Sequence, residues 1–152
     1  MHRIRDWLYI ANYTYTSNDY ALEKHRIGAM LQLAISKPSE RVETLYHPVE
    51  DGVALSDAEV RIGLDFIETH YKADQRILIA CRAGVCRSAV FGIGALMQIE
   101  NLSLREAYRV VKTHHPDSRP FYLPLQSLAE YFDEIFTEIM YNDLKAEFER
   151  RP

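Results

Sequence analysis

Only two of the 152 residues are cysteines, and both fall in one short stretch, as Cys81 and Cys86. Two thiols five positions apart make no disulfide framework, so stability must come from a packed core, and a reducing cytoplasm is the expected setting. No apolar run reaches the ~18 residues needed to cross a bilayer, so no membrane association is expected. The first residues, Met1-His2-Arg3-Ile4-Arg5-Asp6, lack the apolar core of a secretion signal. Positive charge is not in excess: the net charge is -4, which argues against a broad nucleic-acid surface. The six histidines are scattered without metal-ligand spacing, so neither a metal nor another cofactor is expected. Repeats, linkers and low-complexity segments are also missing. With 47% apolar and 26% charged residues, the chain suits one domain over 1–152, and a monomer is expected.

What is present reads as alternating strands and helices. Residues 5–11, with Trp7, Leu8, Tyr9 and Ile10, read as a first strand, and 12–18 as a polar, tyrosine-rich loop. Ser17 or Asn18 caps a short helix through Arg26, with Ala21 and Leu22 inward and Gly28 as its stop. Residues 29–35 are apolar with one interruption, as expected of a central strand. A loop around Pro38 follows, and 42–47 alternates as another strand. Ser56-Asp57-Ala58-Glu59 is a capping box, and Val60, Leu64, Ile67 and Tyr71 give its helix one buried face to about Lys72. Ser103-Leu104-Arg105-Glu106 is a second box, with Leu104, Ala107, Tyr108 and Val111 inward. Pro116 and Pro120 bracket a loop. A single last helix is expected over about 125–150, with Leu128, Phe132, Ile135 and Ile139 inward and the charged end, 145–151, exposed or frayed. The fold class is α/β: one domain with a central, mostly parallel sheet flanked by helices on both faces.

One stretch concentrates the chemistry. Ile77-Leu78-Ile79-Ala80 is a buried strand, Cys81-Arg82-Ala83-Gly84-Val85-Cys86-Arg87-Ser88 is a loop, and 89–99 is apolar enough for a buried helix. A cysteine therefore ends a strand while an arginine and a serine begin a helix. Inward loop amides and a helix N-terminus suit an anion. They also favour the thiolate of Cys81. Arg87 adds a planar fork that holds two phosphate oxygens at once. Such a site belongs at the carboxyl edge of the sheet.

Cys81, Gly84, Arg87 and Ser88 stand in the register of the signature loop of cysteine-dependent phosphatases, and the chain most resembles the small atypical type of the dual-specificity branch. The resemblance spans roughly 7–131 and implies that fold. It implies a phosphatase acting on phosphotyrosine and phosphoserine or phosphothreonine through a phosphocysteine intermediate, with a phosphorylated protein or another phosphate ester as partner. It also implies site residues. Cys81 would be the nucleophile, Arg87 would bind phosphate and the transition state, and Ser88 would stabilise the thiolate. Arg82, Ala83, Gly84, Val85, Cys86 and Arg87 would form the phosphate loop. The family's general acid is an aspartate on a preceding loop, often followed by glycine; Asp51 in Val49-Glu50-Asp51-Gly52 fits, ahead of Asp57 and Glu50.

Two departures stand out. Ala80 occupies the place of the family histidine, and Cys86 precedes Arg87 where serine is common. Cys-x4-Cys-Arg-Ser is also the loop of low-molecular-weight phosphatases, but those carry it at the N-terminus. By that likeness Cys86 would be a redox partner of Cys81. Arg82 reads either as a rim cation favouring acidic substrates or as a solvated surface arginine. A phosphoinositide or other non-protein phosphatase and a phosphate-binding pseudophosphatase are the competing readings. An arsenate-reductase chemistry lacks the cysteines outside the loop that it needs.

Overall fold

The computed structural model describes residues 1–37 and 39–149. Five strands form one sheet: β1 (His2–Arg5), β2 (Leu8–Asn12), β3 (Ile27–Gln32), β4 (Glu43–Tyr46) and β5 (Arg76–Cys81). Their order is β1-β2-β5-β3-β4. β1 runs antiparallel to β2, and the other pairings are parallel. The sheet is mostly parallel, as expected. β1 extends the first expected strand into a pair, because Asp6 and Trp7 turn the chain back on itself.

β5 lies at the centre, where strands must be apolar on both faces. Ile77, Leu78 and Ile79 are fully buried. Alternation along the strand sends Ile77, Ile79 and Cys81 into one core and Leu78 into another. The helices are α1 (Asp19–Lys24), α2 (Asp57–Lys72), α3 (Arg87–Glu100), α4 (Leu104–His114), α5 (Tyr122–Tyr131) and α6 (Glu138–Glu149). The two faces carry unequal loads. Residues of α2 to α6 join Ile77 and Ile79 in the larger core, whereas Leu22 of α1 packs with Leu78 on the opposite face.

Both capping boxes form, at Ser56 with Glu59 and at Ser103 with Glu106. Asn18, one of the two expected caps, accepts from the Ala21 amide, and residues 13–17 before it coil into a 3₁₀ turn. α2 and α3 cross closely at Gly63, where a Cβ would stand 2.4 Å from Phe91 Cε1.

Four details differ from expectation. Gly28 does not stop α1; it lies inside β3, and Arg26 at φ 55° makes the turn. The central strand ends at Gln32 rather than at residue 35. Tyr71 is 39% exposed and meets Trp7 edge-on instead of entering the core. The single helix over about 125–150 is two helices. α5 ends in a Schellman turn: Asp133 sits at φ 57°, its N–H bonds Glu130 O, and the Glu134 N–H reaches Ala129 O. Aspartate tolerates this left-handed position better than most residues. The break changes the helical phase, so Phe136 is buried while Ile135 and Ile139 are 82% and 75% exposed. Pro38 in its loop and residues 150–152 of the charged end lie outside the described residues.

The broken helix is directly testable. Leu128→Ala, at a fully buried position of α5, should cost ~2–5 kcal/mol in urea unfolding. Ile135→Lys and Ile139→Lys should each stay within ~0.5 kcal/mol of the parent. A larger cost for either lysine variant would return that residue to the core.

Candidate functional site

The site lies where β5 ends. Cys81 pairs in register with Asn12 of β2, so its position is set by the sheet. The chain then curls over residues 82–86 into α3. Cys86 is the N-cap of α3 but makes no side-chain cap bond, so the first-turn amides are not taken by a side chain.

Gly84 shapes the curl. It adopts φ 73°, and a Cβ there would stand 2.5 Å from Asn12 N and 2.6 Å from Ala11 C. Only glycine fits both the dihedral and the backbone contact. Its amide is thereby turned to Cys81, donating to Sγ at 3.2 Å. Ser88 Oγ lies 3.2 Å from the same sulfur, and both side chains are buried. When Cys81 is a thiolate it can only accept, so Ser88 is then the donor.

The loop between β4 and α2 closes the other side. Arg87 Nη1 donates to the Val49 carbonyl at 3.1 Å, and Arg87 Nε lies 3.9 Å from Asp51 Oδ1. Nε is buried and has no hydrogen-bond partner among the described residues. Asp51 is 44% exposed and so stands at the mouth rather than the floor. The expected residues Cys81, Arg87, Ser88 and Asp51 are thus gathered at one edge of the sheet. Asp57 stands in the exposed first turn of α2, Glu50 is exposed, and Arg82 and Ala83 are exposed on the loop. Burial, then the neighbouring Asp51 and Cys81 charges, push the Cys86 thiol pKa up. Both cysteines are free thiols. No group of three or more metal-ligating side chains occurs among the described residues. Nor is any helix there long and apolar enough to cross a membrane.

The family model for the catalytic domain of dual specificity phosphatases matches residues 8–134. The chain belongs to the dual-specificity phosphatase family. It is 27% identical over 135 residues to the dual specificity protein phosphatase Mpk3 of Drosophila melanogaster, covering 84% of this chain and 33% of that protein. It is 29% identical over 141 residues to dual specificity protein phosphatase 14 of Mus musculus, covering 88% and 70%. This chain therefore spans about a third of the length of the Drosophila relative. A solved mouse putative dual specificity phosphatase, complexed with zinc tungstate, shares the fold with a TM-score of 0.80 at 20% identity, over 94% of this chain and 90% of that one. Helix α6 falls beyond the residues that the family model matches.

Two contacts of the loop were not legible beforehand. One is the Val49 carbonyl that holds Arg87, since a main-chain acceptor has no sequence signal. The other is a grip on the outer side of the loop by His115 and the Arg119 amide. The only hint was a histidine beside a proline in a loop.

The constraint on Gly84 gives a stability test. Gly84→Ala combines left-handed strain with contact against backbone that cannot swing aside, and should cost ~2–5 kcal/mol in urea unfolding. Gly28→Ala would meet the flexible Gln75 side chain at 3.1 Å and should cost less than ~1 kcal/mol. Equal costs at the two sites would remove the argument for Gly84.

Proposed function

We propose that the protein is a cysteine-dependent phosphatase that hydrolyses phosphate monoesters of phosphotyrosine and phosphoserine or phosphothreonine in proteins. The observation that carries this reading is the Cys81 sulfur within 3.2 Å of both Ser88 Oγ and the Gly84 amide, in a loop that also presents Arg87. Such donors stabilise a thiolate and an incoming phosphoryl group with one arrangement.

The steps follow from the positions. Cys81 Sγ attacks phosphorus, the bond to the leaving oxygen breaks, and Asp51 gives that oxygen its proton. Loop amides and the Arg87 guanidinium hold the three equatorial oxygens. Arg87 Nε, buried and without a hydrogen-bond partner among the described residues, gains an acceptor in this state. Water then attacks the phosphocysteine and passes a proton to the Asp51 carboxylate. The phosphorus–sulfur bond breaks, and the Ser88 hydroxyl stabilises the departing thiolate. No cofactor takes part in these steps.

Size and charge beside the site support a protein substrate. A groove of about 1050 Å³ runs from Gly52 past Arg119 and Phe121 to α6. It offers Lys112, Arg119 and Lys145 against Glu149, on a chain of net charge -4. An acidic phosphorylated segment suits such a groove in both length and charge.

Turnover of an aryl phosphate by the purified chain tests the reading. Cys81→Ser should abolish it while tungstate still binds, and Arg87→Ala should lose both. Asp51→Asn should slow alkyl phosphates ~10²–10⁴-fold and an activated nitrophenyl ester far less, since nitrophenolate leaves without a proton. An equal loss on both esters would move the acid to Asp57. Tungstate binding with no turnover by the parent would instead mark a phosphate-binding pseudophosphatase.

Cys86 has a proposed role beside these. Peroxide converts the Cys81 thiolate to a sulfenic acid; the Cys86 thiol then attacks that sulfur and water leaves, forming a disulfide. Burial pushes the Cys86 thiol pKa up, and the Gly84 amide and Ser88 hydroxyl stand at the Cys81 sulfur alone, so Cys81 is the first target. Peptide mass spectrometry after mild peroxide should show the loop two hydrogens lighter, with activity restored by a thiol reductant. Oxygens added to Cys81 alone, with Cys86→Ser inactivated no faster, would exclude the bridge.

A further inference from the structure

Ala80 leaves the loop without the imidazole that the family pattern places before the cysteine, yet an imidazole does reach the loop from elsewhere. His115 ends α4 as its C-cap and is only 2% exposed. Its Nε2 lies 2.7 Å from the Gly84 carbonyl. A carbonyl only accepts, so Nε2 carries the proton. The ring stacks on His2 of β1, with centroids 3.7 Å apart and planes 15° off parallel, which fixes its orientation. Burial lowers the His115 pKa and favours the neutral ring.

The grip continues one residue along the loop. The Arg119 N–H donates to the Val85 carbonyl at 2.7 Å. The segment between these two contacts is itself held tightly. Ser118 N bonds His115 O at 3.0 Å, and Lys112 Nζ donates to both Pro116 O and Ser118 O at 2.7 Å. Two consecutive loop carbonyls, of Gly84 and Val85, are therefore drawn to the 115–119 turn.

The consequence follows from the planar trans peptide. A carbonyl and the next amide point in opposite directions. Drawing the Gly84 and Val85 carbonyls toward the turn sends the Val85 and Cys86 amides away from it. The Gly84 amide already faces Cys81 Sγ. Donors fixed before the ligand arrives need no reorganisation during reaction, which is where such donors gain their effect.

We propose that His115 is a positioning residue for the signature loop: its Nε2–H holds the Gly84 carbonyl so that the loop amides are preset for a phosphoryl group. This rests on the phosphatase reading above, and it assigns His115 no contact with substrate.

The test uses the full chain and its His115→Ala, His115→Gln and His115→Asn variants, with kcat/KM for an aryl phosphate and tungstate affinity by calorimetry. A glutamine amide can place an N–H where Nε2 stands, whereas asparagine reaches only the Nδ1 position. His115→Ala should lose at least ~10-fold in both tungstate affinity and kcat/KM, since displacing a reactive group by ~1 Å costs up to ~10²-fold. His115→Gln should return both to within ~3-fold of the parent, and His115→Asn should resemble the alanine variant. A merely structural role would give glutamine and asparagine variants that differ in melting temperature but not in tungstate affinity. A folded His115→Ala within ~2-fold of the parent in both readouts would overturn the proposal. So would glutamine and asparagine variants of equal affinity, which decides the matter should the alanine variant fail to fold. A parent that binds tungstate without turnover refutes the phosphatase reading alone, because affinity still ranks the variants.

Discussion

Gly84 approaches the end of β2 at backbone contact distance, and the geometry of the whole site depends on that approach. The loop must turn in the space of a few residues from the end of β5 to the start of α3. It can do so only by leaning on Ala11 and Asn12, where a side chain at position 84 has no room. Leaning there turns the Gly84 amide to the Cys81 sulfur and its carbonyl to His115. The sheet contributes the reference frame. Asn12 and Cys81 are paired in register, so the residue that supports the loop and the residue that begins it are fixed relative to each other. A nucleophile on a flexible segment would lack that reference.

The parts of the fold that were legible in the sequence are those whose signal is local. The Ile77–Ile79 run, the glycine in the loop and the apolar α3 lie within two dozen residues, so strand, turn and buried helix could be read directly. The capping boxes at Ser56 and Ser103 are equally local, since each is a bond between residues three apart. Less legible were the helix ends. Arg26, Asp74 and Asp133 take the left-handed position at φ 55°, 59° and 57° where glycine is the expected residue. Without a glycine at 133 the apolar spacing of Leu128, Phe132, Ile135 and Ile139 looked continuous, and the phase change was hidden. β1 was missed for a different reason: it is an edge strand of four residues with Ile4 alone fully buried, and its Arg3 and Arg5 read as a polar surface although Arg5 is half-buried against Glu100.

The same division applies to the site. Cys81, Arg87 and Ser88 share one motif, and Asp51 has the mark of an aspartate-glycine loop. The contacts that orient them are long-range. Val49 meets Arg87 across 38 positions, and His115 meets Gly84 across 31. One uses a main-chain carbonyl, which every residue carries. The other uses a histidine with no spacing to any partner. Only the folded chain brings α4 back beside the loop.

The 115–119 turn links the site to the groove beside it. Its inner contacts hold the Gly84 and Val85 carbonyls, while Arg119, Pro120 and Phe121 line the groove that α6 closes. Tyr141 of α6 donates to the Pro120 carbonyl at 2.9 Å, so α6 fastens the same turn from its far side. This helix lies beyond the residues that the family model matches, and it contributes few buried side chains; Leu144 is the one fully buried among its described residues. Its packing is therefore weak relative to that of α3, whose side chains are buried along most of its length. α6 thus bonds the chain at Pro120, one residue past the turn that holds the loop carbonyls. Three hydrogen bonds, Tyr141 to the Pro120 carbonyl, Arg119 N–H to the Val85 carbonyl and His115 to the Gly84 carbonyl, therefore join α6, the turn and the signature loop.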